Sequence, residues 1–135
     1  MHEVPDELSW QEFEEYIRDI LQHHDFNVKF RKVFRTPERG YQIDVVASRS
    51  DLCLCLDAKK YGKGRHRSSS LRNEALKHFE RCQAHEAMFG IKSIPVIVSW
   101  LDDSLMIENG CIIMPYNALN DFVLNIDAYL EEIGF

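Results

Sequence analysis

The stretch YQIDVVASRSDLCLCLDAKKYGKG, Tyr41 to Gly64, constrains the fold more than any other. Two alternating apolar runs flank a polar Ser50-Asp51 pair, the pattern of a β-hairpin. If the turn centres on Ser50-Asp51, Arg49 pairs with Leu52 and every cross-strand pair of residue numbers adds to 101. Asp44 then lies opposite Asp57, and Lys59, two residues on, projects from that same face. A longer loop with the same centre keeps this pairing, whereas an odd loop sends the two aspartates to opposite faces unless a bulge intervenes. Leu52, Leu54, Leu56 and Ala58 take the other face and form an apolar surface that needs a covering layer.

The flanking segments supply that layer. Ser9 followed by Glu12 is a capping box, with Leu8 against Phe13 as its hydrophobic staple. Trp10, Phe13, Ile17, Ile20 and Leu21 recur at helical spacing and mark the buried side of a first helix. Glu14 sits within that stripe, while Glu15 points away with Arg18 and Gln22. A basic strand near Asn27–Phe34 and a turn over Thr36–Gly40 lead into the hairpin. Beyond it, Tyr61–Arg67 reads as a basic loop, and a helix with the inner stripe Leu71, Ala75, Phe79, Cys82 and Phe89 runs to about Phe89.

Ile94–Trp100 then reads as a strand buried on both faces, so strand, helix and strand suggest a parallel crossover. A short strand at Cys111–Met114 follows, and then a closing helix from Asn117 with the stripe Leu119, Phe122, Val123, Ile126, Tyr129, Leu130 and Ile133. The expected order is α-β-β-β-α-β-β-α, an α/β fold with a central mixed sheet flanked by helices.

A chain of 135 residues with 45% apolar composition suffices for one domain, taken as 1–135. No apolar run approaches the roughly 18 to 20 residues that span a bilayer, and the acidic start MHEVPDELS lacks a signal-peptide pattern. The expectation is a soluble, cytoplasmic protein with no membrane contact. Cys53, Cys55, Cys82 and Cys111 lack CxxC spacing and read as reduced, buried thiols; a zinc site built from them with nearby histidines is the alternative.

The net charge of −6 conceals a strong asymmetry: residues 28–72 carry +8, between flanks of −7 each. Such a block is a footprint for a polyanion such as DNA, and equally a device that protects an edge strand. The acids admit two accounts as well. An Asp–Lys salt bridge at a strand end explains one pair. A divalent cation explains the whole set of Glu14, Asp44, Asp57 and Lys59, because Mg²⁺ takes a few carboxylates plus waters and leaves room for phosphate oxygens.

The helix followed by a hairpin with Asp44, and Asp57-Ala58-Lys59 on the next strand, resembles the PD-(D/E)xK nuclease superfamily with its restriction-endonuclease-like fold. FEEYIRDILQHHDFNV, YQIDVVA, LCLDAKKY and PVIVSW are similar to segments of Mrr-like restriction endonucleases and archaeal Holliday-junction resolvases. The resemblance implies a DNA endonuclease dependent on Mg²⁺, with Mn²⁺ as substitute, leaving a 5′-phosphate and a 3′-hydroxyl. It implies Glu14, Asp44, Asp57 and the Ala58 carbonyl as metal ligands, and Lys59 as the residue that positions the attacking water. Lys60, Lys63, Arg65 and Arg67 would contact the DNA backbone, with Lys29, Arg31 and Arg35 as a second basic row.

A homodimer is expected by analogy, and no small-molecule cofactor. The chain departs from the pattern at Ile43, where the motif has proline, and at Asp57, where glutamate is commoner. The acidic start also replaces the basic residues that precede the first helix in junction resolvases. Gln42 and Gln83 are additional polar candidates. The competing reading is an inactive nuclease-fold module that binds DNA or scaffolds a complex.

Overall fold

A computed structural model describes residues 9–59, 67–99 and 105–135, with backbone alone at 67–69. Helix α1 (Trp10–His23) starts at the expected cap, where Ser9 Oγ accepts the Glu12 N–H at 3.2 Å. Its Phe13, Ile17 and Leu21 are fully buried. Trp10, expected on the buried stripe, is instead 48% exposed and rests against Phe13. The staple partner Leu8 lies outside the described residues.

Strands β1 (Asn27–Arg35), β2 (Gly40–Arg49) and β3 (Leu52–Lys59) form an antiparallel meander. The β2–β3 register runs from Arg49↔Leu52 to Val45↔Leu56, so the pairs add to 101 as the turn predicts. Helix α2 (Arg67–Phe89) crosses the sheet and returns as β4 (Lys92–Ser99), parallel to β3. Strand β6 (Cys111–Pro115) runs parallel to β4, and β5 (Met106–Glu108) closes the edge as its antiparallel partner. The six-stranded mixed sheet has the order β1-β2-β3-β4-β6-β5.

A 3-10 turn (Tyr116–Ala118) leads to α3 (Leu119–Leu124) and α4 (Ile126–Ile133). The expected single closing helix therefore breaks at Asn125, whose backbone leaves the helical region and whose side-chain amide donates to the Asp121 carbonyl at 3.1 Å. Among the described residues no helix is long and apolar enough to cross a membrane.

Each sheet face has its own cover. Helices α1, α3 and α4 bury Val45, Ala47, Leu54, Leu56, Ala58 and their neighbours on one side. Helix α2 covers the other side, packing on Ile43, Val46, Cys53, Cys55, Ile97 and Ile113. Its inner stripe is Leu71, Ala75, His78, Cys82 and His85, all buried. Phe79 is only partly buried and Phe89 is 46% exposed, so two histidines hold positions that the apolar pattern gave to phenylalanines.

The β5–β6 hairpin turns on Asn109-Gly110, both with positive φ, which is the left-handed geometry a two-residue hairpin favours. A Cβ on Gly110 would stand 2.4 Å from the Phe79 ring. Gly110→Ala is therefore expected to lower stability by about 2 kcal/mol through steric conflict and backbone strain. Urea unfolding checks this; an unchanged midpoint would mean that the Phe79 ring swings away at no cost.

Candidate active site

The β2–β3 ladder ends at Val45↔Leu56, and beyond that pair the two strands have different partners. Residues 40–43 of β2 pair with β1 only, while Asp57, Ala58 and Lys59 of β3 pair with β4. The sheet opens there into a fork, with Asp44 and Asp57 at the first rung past the last pair. The Ala58 N–H donates to Asp44 Oδ2 at 3.4 Å.

The fork coincides with an exchange of faces. In β2, Val45 and Ala47 pack under α1, but Ile43 packs toward α2, as does Val46. In β1, Phe30 packs on the α1 side and Phe34 on the α2 side. Arg31 lies between them with φ of 54°, a left-handed conformation that turns the ribbon over. Asp44 sits opposite Arg31 at the turning point, so its carboxylate reaches across the fork to Ala58 and Asp57.

Asp57 is buried, 2% exposed, and its Oδ2 has no hydrogen-bond partner among the described residues. Lys59 Nζ stands 3.2 Å away and Arg81 4.0 Å, ion-pair distances without hydrogen-bond alignment. Lys59 is held from the other side by Glu74 of α2 at 3.1 Å. Burial, followed by the hydrogen bond and charge of Asp57, pushes the Asp44 carboxyl up to about 7. Burial opposes ionisation of Asp57 as well, but the Asp44 hydrogen bond and the charges of His78, Lys59 and Arg81 outweigh it and hold this carboxyl below its ordinary value. The pair thus shares a proton, with Asp57 the ionised member.

Glu14 comes from the opposite face. It lines a cleft of about 300 Å³ with Trp10, Arg31, Gln42, Asp44 and Ala58, and it is ion-paired with Arg31. The structure therefore brings Asp44, Asp57, Ala58 and Lys59 together, and Glu14 lines one cleft with Asp44 and Ala58. A second cleft of about 660 Å³ lies between the β1–β2 ribbon and α2, lined by Arg39, Gln42, Glu74, Lys77 and Arg81 among others. Lys29, Arg31 and Arg35 are exposed along edge strand β1. Lys60, Lys63 and Arg65 lie outside the described residues; Arg67 opens α2, its side chain undescribed. Gln83 is exposed on α2.

Glu74 and Arg81, which hold Lys59 and face Asp57, escaped the sequence reading. Their signal was helical spacing: both follow from placing α2 over the Asp57 face. Among the described residues, one group of three side chains has its ligand atoms within 4.8 Å of one another, and it is Cys53, Cys55 and His85 rather than the acids.

Residues 5–95 match the Mrr_cat restriction endonuclease family. An uncharacterized protein of Archaeoglobus fulgidus is 51% identical over 128 residues, 95% of this chain and 99% of that one. The crystal structure of AF1548, a protein of unknown function, aligns with a TM-score of 0.57 at 19% identity. That alignment covers 90% of this chain and 66% of the AF1548 chain, so the likeness is one of fold. The small subunit of the heterodimeric restriction endonuclease R.BspD6I aligns with a TM-score of 0.48 at 9% identity, over 91% of this chain and 86% of that one.

Proposed function

The chain belongs to the Mrr_cat restriction endonuclease family, and on that premise we propose that it is a DNA endonuclease that hydrolyses phosphodiester bonds with Mg²⁺ or Mn²⁺ at the Asp44–Asp57 fork. The observation that carries this reading is the buried Asp57 carboxylate beside a second carboxylate, its Oδ2 without a hydrogen bond and ion-paired with Lys59 at 3.2 Å. Two adjacent carboxylates in a folded core repel unless positive charge offsets both, and the ion pairs of Lys59 and Arg81 are made with Asp57. The donor set fits a hard ion: the Asp44 and Asp57 carboxylates and the Ala58 carbonyl, with Glu14 within reach of Asp44 in the shared cleft. When bound, the cation would neutralise the paired carboxylates, polarise the scissile phosphate and acidify a water.

The chain's own residues do the rest. Lys59, clamped between Asp57 and Glu74, presents its ammonium to the attacking water or to a phosphate oxygen and offsets the charge that develops there. Arg81 and Lys77 line the larger cleft beside it and can hold the DNA backbone, as can Lys29 and Arg35 on the edge strand. Arg31 is partly committed to Glu14 and would be freed when Glu14 turns toward a cation. Lys60, Lys63, Arg65 and Arg67 extend this basic surface in sequence. A homodimer would present two such forks to the two strands of a duplex.

The test is calorimetry with Mg²⁺ and Mn²⁺, with and without DNA, alongside cleavage of supercoiled, linear and branched DNA. Wild-type protein should bind the cation and cut at least one substrate, and Asp57→Asn should do neither. No cation binding even with DNA present would overturn the enzyme reading, and salt-sensitive DNA binding alone would leave a nuclease-fold binding module.

A further inference from the structure

On the α2 side of the sheet, two rungs along β3 from the fork, the core holds an unusual donor set. Cys53 and Cys55 alternate along β3, so both thiols face α2; their Sγ atoms are 3.9 Å apart. His85 on α2 completes a triad whose ligand atoms all lie within 4.8 Å of one another. All three side chains are buried, at 1%, 0% and 1% exposure. Cys82, one turn before His85 on the same helix face, is fully buried and lies against the Cys55 thiol.

A tetrahedral zinc ion with Zn–S bonds of about 2.3 Å sets its sulfurs about 3.8 Å apart, close to the spacing found here. Sulfur and imidazole donors select zinc over magnesium, which separates this cluster chemically from the carboxylate fork.

The imidazole is already oriented. Its two nitrogens are bonded to Lys32 Nζ at 2.9 Å and to Ser93 Oγ at 2.8 Å, and the Ser93 hydroxyl in turn donates to the Ile91 carbonyl at 3.0 Å. An ammonium donates, so Nε2 is the acceptor and Nδ1 carries the proton. Ligation through Nε2 would displace Lys32 and leave Nδ1–H on Ser93 Oγ, the usual arrangement around a metal-bound histidine. Two neutral thiols would release two protons as a dication enters, so the net charge of the buried cluster does not change.

We propose that Cys53, Cys55 and His85 form a structural zinc site that pins α2 to β3, with Cys82, whose Sγ lies 3.6 Å from His78 Nε2, the nearby candidate for a third sulfur and fourth ligand. The site is distinct from the nuclease fork and does not depend on it. Its consequence is mechanical: α2 carries Glu74 and Arg81, the groups that face Lys59 and Asp57, and a clamp at His85 fixes the helix that holds them.

The experiment uses the full chain, purified reduced and without chelator. Elemental analysis should find about one zinc per chain, released when the thiols are titrated with an organomercurial. Replacement by Co²⁺ should give thiolate-to-cobalt charge-transfer absorption. That band should be lost in Cys53→Ser and Cys55→Ser and kept in Asp57→Asn and in Cys111→Ser, a buried thiol elsewhere. His85→Gln should retain the band but shift the ligand-field spectrum. Zinc-free protein whose Co²⁺ form shows no charge-transfer band would overturn the site, and this readout needs no variant to fold. Zinc that persists in the serine variants but leaves in Asp57→Asn would equally overturn it, by assigning the ion to the fork. Failure of cleavage with the Co²⁺ band intact would count against the nuclease reading alone.

Discussion

Lys59→Ala should reduce DNA cleavage by about 10²- to 10³-fold while shifting stability by no more than about 1 kcal/mol. The activity loss follows from geometry. Lys59 places a positive donor beside the buried Asp57 carboxylate, where the proposed reaction would bring an attacking water and a phosphate together. A preorganised charge in a partly dry site is worth far more to a transition state than the same charge in water. The small stability effect follows from position. Lys59 is the last residue of β3, its backbone pairing with Ser99 is independent of the side chain, and the side chain is 26% exposed. Arg81 remains near Asp57 and still offsets part of its charge. Lys59→Arg should not restore the rate, since a planar guanidinium cannot occupy the position of one ammonium donor between Asp57 and Glu74. Initial rates with Mg²⁺ and Mn²⁺, paired with urea unfolding, decide the matter. Equal cleavage by the alanine variant would trace the activity to a contaminant or to another site.

What the sequence made legible was local and periodic. The Ser9–Glu12 cap, the hairpin register adding to 101 and the parallel crossover through α2 rest on rules that span a few residues, and the fold obeys them. The Asn109-Gly110 pair carried an equally plain hairpin signal, and reading it would have supplied β5 as the partner of the Cys111 strand. The stripe of α2 was half read. Leu71, Ala75 and Cys82 were on it, but preference for aromatic residues displaced the spacing that points to His78 and His85. The fork was beyond such rules. It depends on Arg31 adopting a left-handed backbone, which no residue preference signals, and on β2 and β3 taking different partners past Val45. That exchange puts Glu14 and Asp57 on opposite faces with Asp44 between them, where turn arithmetic alone put Asp44, Asp57 and Lys59 on one face.

Asp44→Asn should raise the stability of the metal-free protein at pH 8 and at the same time abolish cleavage. In the wild type the folded-state carboxyl titrates at about 7 against an ordinary value of 3.8. A raised acid favours the folded state fully below its ordinary value, and that advantage is lost as pH rises through the folded value. The metal-free protein should therefore lose stability between about pH 4 and pH 7. Asp57, whose pKa is lowered, works in the other sense: its contribution is present above its ordinary value and is lost only as pH falls through its folded value. The asparagine amide keeps an oxygen for the Ala58 N–H and offers a donor to Asp57, so it reproduces the protonated pair without a proton to lose. A gain of about 1 to 2 kcal/mol at pH 8 is expected, well under the full conversion of the shift because the carboxyl still reaches solvent. Addition of Mg²⁺ should then stabilise the wild type, by binding the doubly ionised pair, and leave the variant unmoved. Thermal melts from pH 4 to pH 9 with and without Mg²⁺ separate the terms. A pH profile unchanged by the substitution would place the shared proton elsewhere, and an undiminished Mg²⁺ shift in the variant would remove the cation from this fork.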